Sequence, residues 1–130
     1  MSRSYKDHKI YSCFALNLLV SKLNIDLYQD GLEDKIDKVL AEHPDGVSKE
    51  EIKHEIRSNH FMTNKVIEKL VEDKLVTVEA KEGRYEVRIT REGVLYIRKY
   101  NEFFLSMYRE QIEEHYQYRG IPHWARGKDR

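Results

Sequence analysis

The sequence predicts an α+β fold, mainly α-helical with one small β-hairpin, and three observations carry that expectation. Apolar residues recur at a spacing near 3.6 in four separate segments, which marks helices. Around residues 76–90 the spacing switches to two, which marks strands. The first and last helical segments are apolar around far more of their circumference than those between them. Both therefore need more than one neighbour.

Composition narrows the class further. The chain has 130 residues, 40% hydrophobic and 35% charged, which is enough for one core and too apolar for a disordered chain. Its 23 basic and 23 acidic residues cancel, which argues against a tight nonspecific nucleic-acid binder. The longest apolar run, residues 13–20, is interrupted by Asn17 and falls well short of the ~20 residues of a membrane helix. The start of the chain lacks the basic, apolar and small-residue pattern of a secretion leader, so a cytoplasmic location without a membrane partner is expected. Cys13 is the single cysteine, leaving no internal disulfide and no cysteine-rich zinc site. Beside Phe14, Ala15 and Leu16 it reads as a small buried hydrophobe.

The elements follow in order. Residues 5–23 form a helix whose Ile10, Phe14, Leu16, Leu18, Leu19 and Leu23 point in nearly every direction. A link spans residues 24–31. The helix 32–42 turns Ile36, Val39 and Leu40 inward and Glu33, Asp34 and Asp37 outward, and His43-Pro44-Asp45-Gly46 ends it with the usual breakers. Val47 is left for a brief extended contact. Ser48 with Glu51 matches a capping box, opening a helix that carries Ile52 and Ile56 inward and stops near Ser58-Asn59.

Thr63 then caps a helix over residues 64–73. Val66, Ile67, Leu70 and Val71 make its buried stripe, and Asn64, Lys65, Glu68, Lys69 and Glu72 its outer face. The hairpin turns at Glu82-Gly83, because glycine tolerates positive φ. That loop sets Ala80 against Tyr85, Val78 against Val87 and Val76 against Ile89 on one side; a slip of one residue would turn the apolar set to water. Glu79 then faces Glu86, a mild cost. Thr90-Arg91-Glu92 opens the last helix, which runs unbroken to about Tyr118. Val94, Ile97, Phe104, Leu105, Tyr108 and Ile112 form one of its stripes, and Tyr96, Tyr100, Phe103 and Met107 another. Together they cover more than the arc one core needs, and a second protomer is the economical explanation.

The stretch Met62-Thr63-Asn64-Lys65-Val66-Ile67-Glu68-Lys69-Leu70-Val71-Glu72-Asp73-Lys74-Leu75-Val76 resembles the recognition helix and first wing strand of winged helix-turn-helix transcriptional regulators. Tyr85-Glu86-Val87-Arg88-Ile89-Thr90-Arg91-Glu92-Gly93 is similar to the returning wing strand and helix start of the MarR-like and PadR-like groups and of small archaeal winged-helix regulators. The resemblance spans residues 32 to about 94. It departs from the pattern at Lys74, where glycine is common.

The resemblance implies a homodimeric regulator of transcription, expected to repress, that reads double-stranded DNA. The chain would divide into residues 1–31 (dimerising helix and link), 32–93 (winged helix-turn-helix domain), 94–118 (long dimerisation helix) and 119–130 (basic tail). In such a motif the second helix enters the major groove. Thr63, Asn64, Lys65, Glu68 and Lys69 would meet the bases, and Lys81 and Arg84 at the wing tip would meet the backbone. Phe14, Leu18, Ile97, Tyr100, Phe104 and Tyr108 are the expected dimer contacts. The resemblance also implies a place for a small-molecule effector between the dimer helices and the winged domain, near Tyr100 and Phe104. Trp124, the lone tryptophan, is expected to pack against a surface.

No catalytic set stands out. The serines lack a nucleophile-elbow frame, no glycine-rich loop could cradle a phosphate, and the six histidines lack the spacing of a zinc helix. The expectation is therefore no enzyme, no metal and no cofactor, with the histidines in turns or at the surface. The rival is a winged-helix module that binds protein rather than DNA, which neutral charge and the glutamates of helix 64–73 favour.

Overall fold

A computed structural model describes residues 8–126. In chain order its elements are α1 (His8–Ser21), α2 (Leu32–Glu42), β1 (Val47–Ser48), α3 (Lys49–Ile56), α4 (His60–Glu72), β2 (Val76–Lys81), β3 (Arg84–Ile89) and α5 (Arg91–Tyr116), with a 3-10 turn at His123–Arg126. The strands make one antiparallel three-stranded sheet in the order β1-β3-β2. The fold is mainly helical with a small sheet, as the periodicity requires.

The first helix lies at the centre. α1 contacts α3, α4, α5 and β3, and Ile10, Cys13, Phe14, Ala15 and Leu16 are shut away from water. Its lack of a single apolar stripe has this cause: neighbours from the same chain surround it. That finding corrects the dimer argument. Phe14, Ile97 and Phe104 are buried inside one chain, so they have no surface to offer a partner. Leu18, Tyr100 and Tyr108 are half-buried against the same core. The wide apolar arc of α5 exists because α1 fills most of it, and the two terminal helices are the inside of the domain rather than arms.

One polar pair crosses this core. The Asn17 side-chain amide donates to Asn101 Oδ1 at 2.9 Å, and Asn101 Nδ2 donates back to Asn17 Oδ1 at 3.1 Å. Both residues are buried, and each satisfies the other, which an apolar slide of α1 along α5 would undo. Burial also pushes the Cys13 thiol beside them well above its ordinary value, so it stays protonated and inert.

The hairpin has the predicted register, Val76 with Ile89, Val78 with Val87 and Ala80 with Tyr85. Glu82 and Gly83 both take positive φ, 51° and 83°, which matches the twist of the strands. Glu79 does face Glu86. The strain is relieved because the Gly46 N–H donates to Glu86 Oε1 at 3.0 Å and Lys81 lies 4.0 Å from the same oxygen. β1 pairs through Val47 with Val87, the brief extended contact expected of it.

The joint between α4, the hairpin and α5 is tightly made. The Lys74 N–H donates to the Val71 carbonyl and the Leu75 N–H to the Leu70 carbonyl, both at 2.9 Å, a Schellman closure. Lys74 sits at its left-handed position with φ 65°, where glycine would be at ease. Thr90 caps α5 by accepting the Gly93 N–H, and its hydroxyl donates to the Lys74 carbonyl at 2.8 Å. A side chain at Gly93 would collide with the Leu75 carbonyl and Ile89. α5 is not unbroken: Tyr108 leaves helical geometry (φ −126°, ψ 26°) and marks a kink.

Asn101→Leu is expected to destabilise the protein by about 1–3 kcal/mol, because Asn17 loses its buried partner. The double variant with Asn17→Leu should recover part of that loss in urea unfolding, whereas simple additivity would show that the amides do not act as a pair.

Candidate nucleic-acid interface

The segment from α3 to α4 is short and locally determined. Ser48 Oγ accepts the Glu51 N–H at 3.1 Å, which opens α3, while the Glu51 carboxylate pairs with Lys22 at 2.7 Å. Ile52 and Ile56 are fully buried. Arg57 then takes left-handed geometry with φ 56° and turns the chain. Asn59 Oδ1 accepts the Met62 N–H at 2.8 Å and caps α4. The capping residue is thus Asn59, not Thr63, and the helix begins about one turn earlier than the sequence reading placed it.

This shift rearranges the candidate residues. Thr63 is only 2% exposed, its hydroxyl has no partner among the described residues, and its N–H bonds the Asn59 carbonyl at 2.9 Å. It cannot touch a base. Asn64, Lys65, Glu68 and Lys69 do share the open face of α4. Val71, expected inside, is 42% exposed. His60 and Phe61 join the face at its leading end, with Phe61 67% exposed and Lys65 Nζ 4.8 Å from its ring centre. The sequence carried the signal for this in Asn59, as good a cap as threonine.

Electrostatics divide the candidate cations. Lys69 lies 3.4 Å from Glu72 and 3.5 Å from Asp73, and the Asp73 charge with the Glu72 hydrogen bond holds its ammonium above the usual value. Lys81 donates to Asp45 at 2.6 Å, which raises the lysine and lowers the aspartate. Lys65 and Arg84 are exposed and belong to none of the ion pairs among the described residues. The α4 and hairpin surfaces therefore hold cations, but two of them already face carboxylates.

A second set of contacts holds this region to α5. Tyr116 Oη donates to Glu55 at 2.6 Å, His115 Nε2 donates to the Glu55 carbonyl at 2.8 Å, and Arg57 donates to the His115 carbonyl at 3.1 Å. Arg119 pairs with Glu55 at 3.6 Å. Burial first, and the Glu55 hydrogen bond second, push the Tyr116 phenol well above its ordinary value. His115 was expected at the surface; it is 3% exposed and stacks on Phe14 with ring centres 3.9 Å apart. Trp124 packs against Tyr116 and Phe14 at 6.0 and 6.3 Å, so the first part of the tail folds back, as the size of the ring demands. The tail's Lys128 and Arg130 lie outside the described residues.

Among the described residues no cluster of side chains is arranged to hold a metal ion, and no helix is long and apolar enough to cross a membrane. No protein-family model matches the sequence, and neither a curated protein nor a solved structure matches it significantly.

The two capping candidates give opposite outcomes. Asn59→Ala is expected to cost about 1 kcal/mol of unfolding free energy. Thr63→Val, which removes a buried and unpartnered hydroxyl, should leave stability unchanged or raise it. Urea denaturation of both variants decides which residue starts α4.

Proposed function

We propose that this chain is a winged helix-turn-helix protein that binds double-stranded DNA as a homodimeric transcriptional regulator. The observation that carries the reading is an arrangement. α3, a three-residue turn and α4 are followed directly by a hairpin whose returning strand pairs with β1, and the polar face of α4 is left open. With α4 in the major groove, Asn64 suits an adenine edge and Lys65 a guanine or phosphate. Phe61 supplies an apolar contact for thymine methyl groups. The hairpin tip, with Arg84, then lies along the backbone. A dimer seated on a promoter excludes other proteins, so repression is the expected direction.

The neutral surface sets the affinity. DNA binding draws largely on phosphate neutralisation, and Lys69 and Lys81 are already paired. A single copy therefore binds modestly, and two half-sites are needed.

The dimer face in this reading keeps the second apolar stripe of α5 and drops the buried Phe14, Ile97 and Phe104. On the outer side of α5, Phe103 and Met107 are 50% and 59% exposed, one turn apart, with half-buried Tyr96 and Tyr100 beside them. Lys99 precedes this strip, and Glu110 and Glu114 follow it. Two copies of α5 packed antiparallel would set Lys99 of each near the glutamates of the other; a parallel pairing would oppose like charges. A second copy of this chain is thus the fitting occupant.

A second reading has its own support. Phe61 and Val71 are exposed on the same helix whose Lys69 is neutralised, a surface equally suited to a protein partner. Electrophoretic shift of a random duplex at low and moderate salt separates the two: binding that fades with salt supports DNA contact, and no binding at low salt supports the protein module. Lys65→Ala should weaken binding and lower the salt slope by about one. Glu72→Gln with Asp73→Asn, which frees Lys69, should strengthen binding and steepen the slope. Phe103→Asp with Met107→Asp should sediment as a folded monomer; an unaltered dimer would place the seam elsewhere.

A further inference from the structure

We infer that the cleft between α1, the link that follows it and the C-terminal turn binds a small organic amine. The cleft encloses about 550 Å³, within the ~300–1,000 Å³ of small-molecule sites. None of its described lining residues belongs to α3, α4 or the hairpin, so it is separate from the proposed DNA surface and stands whether or not that surface binds DNA.

The lining selects the ligand. Trp124 and Tyr28 supply aromatic walls, Val20 an apolar one, and Asp26 and Glu102 the charge. No lysine or arginine lines it among the described residues, the His123 imidazole being the basic side chain there, and neither carboxylate appears in an ion pair among those residues. The Tyr28 N–H donates to Asp26 Oδ1 at 3.0 Å, which orients that carboxylate. An anion would meet two like charges, and a neutral body would leave both unused. An ammonium group on a flat apolar frame uses both features: carboxylates for the charge, ring faces for the cation and the frame. Lipid-like ligands are too large, and inorganic cations would leave the aromatic walls idle.

The cleft also reaches the core. Asn17, which lies against it, is half of the amide pair with Asn101. Glu102 is the next residue along α5, and Trp124 packs on Tyr116 and Phe14. An occupant therefore touches the link after α1, α5 and the C-terminal turn at once.

The test uses the full chain and its single tryptophan, which stands in the cleft as its own fluorescent reporter. The probe is 2-phenylethylamine, and 2-phenylethanol is its uncharged counterpart. The amine is expected to change Trp124 emission saturably, at low millimolar concentration for so small a ligand. The alcohol should bind at least about tenfold more weakly. Glu102→Gln and Asp26→Asn should each lose about tenfold in affinity while melting like the parent. Trp124→Phe should lose the optical signal but still show binding heat in calorimetry. Equal binding of amine and alcohol overturns the inference. So does the absence of saturation by about 10 mM, or a folded Glu102→Gln variant that binds the amine as the parent does.

Discussion

The burial of α1 is the constraint on which the rest of the molecule depends. A helix without a polar face cannot rest on a surface; it must be enclosed, and here α3, α4, α5 and β3 enclose it. That single requirement sets the spacing between the short helices and the long one. It also explains why Phe14, near the middle of α1, touches His115, Tyr116 and Trp124 from the far end of the chain. An apolar helix in an apolar sheath is free to slide, since hydrophobic contact has no direction. The Asn17–Asn101 pair removes that freedom, because any other register strands two buried amides.

The parts of this fold legible in the sequence are those governed by local rules. Alternation of period two admits one register for the hairpin, and β2 and β3 adopt it. The breakers at His43-Pro44-Asp45-Gly46 end α2, and Thr90 caps α5. The start of α4 is not set by local rules, because Asn59 and Thr63 are both good caps four residues apart and the residues between them tolerate either state. Tertiary packing decided it by burying Thr63. The surroundings of α1 are not local at all. Periodicity says that a face is covered but not by what, so a helix from the same chain and a helix from a second copy leave the same trace. His115 shows the same limit, since a lone histidine carries no local mark of the ring on which it will stack.

Charge tells a parallel story at the candidate surface. Composition shows that acids and bases cancel over the whole chain, but only the folded arrangement shows where. Asp45 belongs to the turn after α2, yet it reaches Lys81 on the hairpin. Glu72 and Asp73 close the end of α4 and occupy Lys69. These exposed pairs add little to stability, yet each lowers the charge offered to a polyanion. The lysines of this surface are consequently not interchangeable. Lys65, whose near neighbour is the Phe61 ring rather than a carboxylate, offers its charge undiminished.

α5 then joins the core to an exposed apolar strip. Its inner side carries the amide pair and the contacts to α1; its middle outer side carries Phe103 and Met107. The kink at Tyr108 falls just beyond that exposed strip. Past it, Ile112, His115 and Tyr116 keep the helix on the body, where Glu55 gathers Tyr116 and Arg119. Because Glu55 lies on α3, the helix that leads into α4, the orientation of the open helix is tied to the same rod that bears the outer apolar strip.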